Sequence, residues 1–315
     1  MPHKEHYIGI DVAKKHLDVH CLPDGRAQRF SNESAGWEAL LAWMSEWTPA
    51  LICLEATGGY EQPLVNFLQQ HEFSVAVVNP RQIRDFARAL NQLAKTDAID
   101  ARVIALFAQR IQPPESPQLD KNRHKLKALV ARRRQVQAMI ARESCRCQQT
   151  LDASVEAMIN EVIALYRRQL KQLDKEIHRL TQSDPAMNER VELLTSVPGV
   201  GATTAAVLIA ELPELGELNR QQIARLAGLA PTNRDSGTFR GRRMIGGGRT
   251  HVRHATYMAA LTGIRFNDRI ATHYRHLVAS GKPKMQALLA CARKLLVILN
   301  TMVKNKTKWQ TTTCN

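Results

Sequence analysis

Tyr7-Ile8-Gly9-Ile10-Asp11 is an apolar strand closed by an acid, and Leu51-Ile52-Cys53-Leu54-Glu55 repeats the pattern further along the chain. Lys95-Thr96-Asp97-Ala98-Ile99-Asp100-Ala101 adds two more acids one helical turn apart. Residues at i and i+3 share a helix face, so Asp97 and Asp100 can aim at one point while Ile99 turns elsewhere. Carboxylates from separate elements are the donors a magnesium ion wants: hard oxygens in a near-octahedral shell that waters or phosphate oxygens complete. Asp11, Glu55, Asp97 and Asp100 are therefore the candidate ligands of magnesium, or of manganese in its place. Two such ions about 3.5–4 Å apart would clamp the attacking and leaving oxygens of a phosphoryl transfer. Without metal, such a cluster would repel itself.

Each acid also has an ordinary reading. A single Asp after a strand forms a turn or caps a helix, which leaves Asp11 open when it is taken alone. Asp97 can equally cap the helix that carries Val103, Ile104, Leu106 and Phe107. Taken together, the four favour the metal site.

Outward from these strands, the first segment alternates strand and helix. His16 to Leu22 and Ala27 to Phe30 read as strands around an Asp24-Gly25 turn, and Gly36 to Trp47 as an amphipathic helix. Leu51 to Glu55 and Ser74 to Val78 are short, continuously apolar strands flanking a helix near Pro63 to Gln70, the look of a sheet covered on both faces. A three-strand meander, then helix-strand-helix-strand, then a helix bearing acids, is the element order of a ribonuclease-H-like α/β fold.

Ile111-Gln112-Pro113-Pro114-Glu115-Ser116-Pro117 breaks the helical pattern with three prolines and reads as a linker. From Arg123 to Gln182 glycine and proline nearly vanish. Apolar residues recur at three and four: Leu151, Val155, Met158, Val162, Tyr166, Leu170, Leu173, Ile177, Leu180. This predicts a long helical pair or coiled coil with a stutter near Val162 to Leu170; an ordinary helical hairpin packed on its own domain is the alternative. Arg132-Arg133-Arg134 within it is either a solvated face or a backbone clamp. The expected division is 1–112 for the strand-rich domain, 121–183 for the helical coiled coil, and 184–312 for a mainly helical third domain.

That third segment opens on Val197-Pro198-Gly199-Val200-Gly201, where one helix ends and another begins, as in a helix-hairpin-helix. Gly199 and Gly201 would let backbone N–H groups approach a phosphate at the new helix's positive end; a tight helix-helix turn is the plainer reading. Further on, six arginines and one acid fall between positions 234 and 253: Arg234, Arg240, Arg242, Arg243, Arg249 and Arg253 against Asp235. Glycines interleave them, and bidentate guanidinium matches phosphate oxygens, so this loop should grip a phosphodiester. Ser236 within it is a candidate nucleophile, its oxyanion stabilised by arginines and metal, although Asp-Ser-Gly is also an ordinary turn.

Charge supports a polyanionic partner. The 315 residues carry a formal net charge of +15, unevenly spread. Residues 1–120 hold 11 Lys and Arg against 15 Asp and Glu, net −4, whereas residues 121–183 reach +8 and residues 184–315 reach +11. The acid-bearing segment is mildly acidic, and the rest would hold nucleic acid. The six cysteines show no Cys-x-x-Cys spacing for zinc. Met1-Pro2-His3-Lys4-Glu5-His6 lacks the apolar core of a signal peptide, and no apolar run approaching the roughly 20 residues of a membrane span is expected. These features predict a soluble protein of a reducing compartment.

Ile10-Asp11-Val12-Ala13-Lys14, Leu54-Glu55-Ala56-Thr57-Gly58, Lys95 through Ala101, Val197 through Gly201, and Ala230-Pro231 through Ser236-Gly237 to Arg253-His254 together resemble the insertion-sequence 110 family of DEDD transposases. The likeness covers nearly the whole chain in the expected order. It implies a recombinase of a mobile element, with a Holliday-junction-resolvase-like domain holding metal through Asp11, Glu55, Asp97 and Asp100. It further implies that Ser236 attacks a DNA phosphate to form a phosphoserine link. A structured bridge RNA would pair with element-end and target DNA, and the protein would act as a dimer or tetramer in the bacterial cytoplasm, associated with the nucleoid. Two other readings stay open: a junction-resolving nuclease that uses metal-activated water, and a non-catalytic nucleic-acid-binding protein. The strand Ile8-Gly9-Ile10-Asp11 is also similar to actin-like ATPases, but a second glycine-rich phosphate turn is missing and the charge is wrong for a sugar kinase.

Overall fold

The computed structural model describes residues 5–92, 97–117, 120–232, 235–236, 239–240 and 244–310; of residues 97–99, 235, 236, 239 and 240 it describes the backbone alone. The chain falls into two compact units, Met1–Gln118 and Leu119–Asn315.

The first unit is built on five strands: β1 (His6–Val12), β2 (His16–Leu22), β3 (Ala27–Ser31), β4 (Pro49–Glu55) and β5 (Val75–Val78). They lie in the order β3-β2-β1-β4-β5. β1, β2 and β3 pair antiparallel through tight turns, whereas β4 joins β1 and β5 joins β4 in parallel, each after a helical crossover. The apolar runs of β1 and β4 are continuous because both faces of the sheet are covered. Ile8, Ile10, Ile52 and Leu54 pack against Leu40 and Met44 of α1 (Ser34–Met44) and Leu64 and Leu68 of α2 (Gln62–Gln70). Tyr7, Leu51, Cys53 and Val78 face the other way, onto Ile83 of α3 (Pro80–Ala89) and Val103, Ile104 and Phe107 of α4 (Asp97–Ile111). Truncating the fully buried Ile104 to Ala should cost about 2–5 kcal/mol. This mixed α/β arrangement is compatible with the expected ribonuclease-H-like domain.

Two details depart from the sequence reading. Helix α3 was not expected; it has one buried residue, Ile83, and is set by a capping box in which Asn79 and Gln82 satisfy each other's backbone N–H, with Pro80 at its first position. The proline-rich segment after α4 is tied down at Ser116, whose N–H donates to the Val75 carbonyl and whose Oγ accepts from Val77 N–H at 2.8 Å. It thereby covers the edge of β5.

The second unit begins with α5 (Lys121–Gln149) and α6 (Ala153–Ser183), an antiparallel pair pinned by Arg133 Nε donating to Asp174 at 2.6 Å. The chain reverses at Thr150-Leu151-Asp152, where Asp152 caps α6 by accepting from Ser154 and Val155 N–H. Leu151, expected inside a helical seam, stands at this corner fully exposed. Leu126, Val130, Ile177 and Leu180 join one core with α7 (Pro185–Thr195), α8 (Ala202–Glu211), α9 (Arg220–Leu226), α10 (Thr250–Phe266), α11 (Asp268–Ala279) and α12 (Lys284–Asn305).

Helix α12 is long and apolar enough, by length and composition alone, to cross a membrane. Its apolar residues are instead the centre of this core, with Cys291, Leu295, Leu296 and Leu299 wholly buried. The segment read as an arginine loop contains four two-residue strands: β6 (Pro231–Thr232) pairs with β9 (Met244–Ile245), and β7 (Asp235–Ser236) with β8 (Phe239–Arg240). Strands so short leave no alternation to read.

Candidate active site and nucleic-acid interface

In β1 the residues alternate between faces, so Tyr7, Gly9 and Asp11 share the side covered by α4. In β4 the same argument puts Leu51, Cys53 and Glu55 there. Because β1 and β4 run parallel with Ile10 beside Leu54, Asp11 and Glu55 leave adjacent strands at one level, on one face. Neighbouring strands lie about 4.8 Å apart, close enough for two carboxylates to share a cation.

Gly9 sets where the helix that carries the other two acids lies. A Cβ at Gly9 would fall on the carbonyl oxygen of Ala101 and the backbone nitrogen of Ala105, so α4 rests its backbone directly on β1. At the other end, Gln112 donates to the Tyr7 hydroxyl at 3.0 Å. The two contacts run in opposite senses along the chain, so α4 is antiparallel to β1 and its first turn overlies the Asp11 end. Asp100 adjoins the buried Ala101 in that turn, and the helix's positive end faces the strand acids. Asp97 opens α4, but its side chain lies outside the described residues. Among the described residues, no three His, Cys, Asp or Glu side chains gather as a metal group. What the described part supplies is two carboxylates, Asp11 and Glu55, at the carboxyl ends of adjacent strands under the start of α4, hard-oxygen donors of the kind that suits magnesium or manganese.

Asp18 was not singled out from sequence. It stands directly opposite Asp11 in the β1–β2 pair, yet both its oxygens accept from Arg29 of β3 at 2.9 Å, with His16 Nε2 at 3.7 Å. Its charge is therefore answered within the sheet.

The turns leaving the two acidic strands are joined to each other. Asn32 donates through Nδ2 to the Ala13 carbonyl beyond β1 and to the Tyr60 carbonyl beyond β4, at 3.0 and 3.2 Å, while its Oδ1 accepts from the Trp37 indole. Glu61 Oε2 accepts from Thr57 N–H, Thr57 Oγ1 and Gly59 N–H at 2.8–3.1 Å. Burial would raise the Glu61 carboxyl, but these hydrogen bonds outweigh it and hold the group below its ordinary value. Sequence reasoning missed both residues; the visible signal was an acid just after the Gly58-Gly59 turn.

In the second unit, α7 and α8 are joined by the turn through Gly199 and Gly201. The two glycines differ. Gly199 has φ +101° and its missing Cβ would strike Gly263 and Ala259 of α10, so packing requires it. Gly201 caps α8 with extended φ of −89° and open space around its Cα. Gly247 and Gly248, both left-handed, dock the following loop on the end of α9, where Gly248 abuts Gly228 and Arg249 N–H donates to Leu226.

The arginines expected to hold nucleic acid fall into two groups. Arg249 is engaged inside the protein: it grips Glu214 with both guanidinium nitrogens and donates to the Glu211 carbonyl at 2.9 Å. Arg253 donates to the Gly247 carbonyl at 2.8 Å and so supports the same loop. Arg234, Arg242 and Arg243, and the side chains of Arg240 and Ser236, lie outside the described residues. The Ser236 backbone is paired with Phe239 in the β7–β8 ribbon. The five described cysteines are free thiols, and burial pushes Cys53 up to about 12 and Cys21 up to about 11. Neither serves as a nucleophile at neutral pH.

Comparison with known proteins accords with this arrangement. A family model described as transposase matches residues 8–156, and one described as transposase IS116/IS110/IS902 family matches residues 191–275. The chain is 29% identical over 308 residues to the pilin gene-inverting protein of Moraxella bovis and, to the same extent, to that of Moraxella lacunata, with 95% of each chain covered. It is 31% identical over 163 residues to an uncharacterized 43.6 kDa protein of insertion element IS110 from Streptomyces coelicolor, covering 51% of this chain and 39% of that one. An acid-bearing α/β unit followed by a basic helical unit, with these matches spanning both, defines a DNA transposase or recombinase. Over residues 191–275 the chain is similar to the IS116/IS110/IS902 family of transposases.

Proposed function

We propose that this transposase cuts and rejoins element-end and target DNA through a phosphoserine formed on Ser236, with a divalent metal ion held by Asp11, Glu55, Asp97 and Asp100. The observation that carries the reading is that Asp11 and Glu55 close adjacent parallel strands on the face where Gly9 seats the backbone of α4. Magnesium or manganese bound there would supply Lewis-acid charge to phosphate oxygens.

The chain's own part is as follows. Ser236 Oγ attacks a DNA phosphorus and loses its proton, the bond to one sugar oxygen breaks, and that oxygen leaves as a hydroxyl. A second DNA hydroxyl later attacks the phosphoserine, rejoining DNA and restoring the serine. Arg234, Arg240, Arg242 and Arg243 balance the phosphate charge, while Arg249 and Arg253 hold the loop that presents them. The ion pair with Glu214 holds Arg249 in place before DNA arrives. The relatives named as pilin gene-inverting proteins suggest that the same chemistry, applied to two sites in one molecule, would invert the DNA between them.

The excess of positive charge after residue 120 suits two nucleic acids at once, and a structured bridge RNA pairing with both DNA sites is the proposed source of sequence choice. Assembly would be homo-oligomeric. Val155, Met158, Val162 and Leu165 stay exposed along α6 at spacings of three, four and three, the seam of a coiled coil awaiting a second copy. The proposed location is the bacterial cytoplasm, at the nucleoid.

The test incubates purified protein with magnesium, labelled element-junction DNA and RNA transcribed from the flanking non-coding segment, then looks for a protein–DNA adduct on a denaturing gel. An RNA-dependent adduct that is lost in Ser236→Ala is expected. Cleaved DNA without adduct would replace this reading with the nuclease that uses activated water.

A further inference from the structure

The corner between α10 and α11, beside Pro198 of the α7–α8 turn, holds a cavity of about 520 Å³. Its walls combine two chemistries. Phe266, at the end of α10, leaves 69% of its surface in water, and Trp309 faces the same space from the chain segment after α12. Arg269 and His273 of α11 and Lys294 of α12 line the polar side, with His276 beside them. An exposed phenyl ring alone is ordinary; one set beside an indole and several cationic groups in a concave site is not.

The cavity is held in shape from three directions. Asn267 caps α11 and donates to the Pro198 carbonyl at 3.4 Å, which ties the corner to the turn between α7 and α8. Trp309 N–H donates to Ser196 Oγ at 3.0 Å, and Lys308 pairs with Glu192 at 3.1 Å, so the terminal segment is fastened to α7. Neither Arg269 nor Lys294 forms an ion pair among the described residues, whereas the lining contains one acid, Asp268. Burial and the charges of Lys294, His276 and Lys282 hold the His273 imidazole below its ordinary value, which marks the site as electropositive.

We propose that this cavity takes an unpaired nucleotide of a nucleic-acid strand, its base stacked on Phe266 and Trp309 and its phosphate on Arg269, His273 and Lys294. The inference rests on the nucleic-acid reading above and adds to it a place where a strand is held single. Aromatic faces accept any base, and a cationic wall tracks the backbone, which is how single strands are gripped without regard to sequence. A stacked pair cannot enter, because its base faces are already covered. The site lies beside the α7–α8 turn, so a strand that leaves a duplex held there would reach it.

The test titrates full-length protein with short labelled single strands of DNA and of RNA, and with the same sequence as a DNA duplex, by fluorescence anisotropy. Phe266→Ala should weaken single-strand binding about tenfold and leave duplex binding and its salt dependence unchanged, and Phe266→Tyr should restore it. Lys294→Gln should lower the salt slope for single strands by about 0.7. A loss confined to one of the two single strands identifies which it is. Single-strand affinity unchanged in Phe266→Ala, with duplex binding intact, would overturn the pocket and leave the nucleic-acid reading standing. A parent chain that binds none of the three would overturn both.

Discussion

Gly9 of β1 and Ala101 of α4 meet backbone to backbone, with no room between them for a methyl group. This contact decides where the acids stand, because it sets the depth and direction of α4 over the strand that ends in Asp11. Gly9→Ala should therefore lift the helix, cost about 1–3 kcal/mol, and lower DNA cleavage out of proportion to the stability lost. Urea unfolding together with a cleavage assay below the transition would show it. An alanine variant of parental stability and activity would break the link between this contact and the site.

Asp11 and Glu55 are expected to bind metal and not merely to end strands. Asp11→Asn and Glu55→Gln should each lower cleavage on the order of a thousandfold while DNA binding persists. A second readout needs no catalysis: magnesium at about one hundred times its dissociation constant should stabilise the parent by about 2.7 kcal/mol and either variant by much less. Equal thermal shifts in all three proteins would argue that the cation sits elsewhere.

Glu61 gives the turn after β4 a pH dependence. Its folded value is depressed, so its contribution is complete above the unfolded carboxylate value of about 4.3 and is lost as pH falls through the folded one. Glu61→Gln should remove about 1–3 kcal/mol at neutral pH and flatten the stability profile below about pH 4.3. Chemical denaturation from pH 3 to 7 measures both, and an unaltered acid limb would assign that loss to other carboxylates.

The sheet and its acids were legible because β1 and β4 are buried on both sides, which writes them as unbroken apolar runs with a polar stop at Asp11 and Glu55. Helix α3 was not, since Ile83 is its one buried residue; the Asn79-Pro80 start was the clue that periodicity overlooked. Leu151 fits the spacing of a seam, but Asp152 caps a new helix there, and a cap outranks one more leucine in register. The role of Arg249 was hidden for another reason. Its partner Glu214 is distant in sequence, and a run of arginines looks the same whether it meets phosphate or a carboxylate of its own chain.

Gly199 and Gly201 of the α7–α8 turn should separate packing from binding. Gly199→Ala forces a side chain into a left-handed backbone and against α10, and should cost about 1–3 kcal/mol or more, with DNA affinity falling only as the fold does. Gly201→Ala has an ordinary φ and open space, and its stability should stay within about 1 kcal/mol. If phosphate approaches the α8 amino end, that methyl should still weaken duplex binding severalfold. Thermal melts and a DNA titration on both variants distinguish these cases; normal binding by Gly201→Ala would reduce the turn to a helix connector.

The exposed face of α6 makes the final prediction. Met158 and Val162 are 65% and 38% exposed, on a helix whose other side already packs on α5. Apolar side chains at coiled-coil spacing, left in water, are stabilised by burial against a second copy at about 25 cal/mol per Å². The parent protein should sediment as a dimer or larger. Replacing Met158 and Val162 by Glu should shift it toward monomer without changing its circular dichroism or melting temperature below the association range, because neither side chain supports the protomer core. Analytical ultracentrifugation across a concentration series reads the change. An assembly that survives both charges would place the contact on another surface, and a monomeric parent would leave the stripe to some other partner.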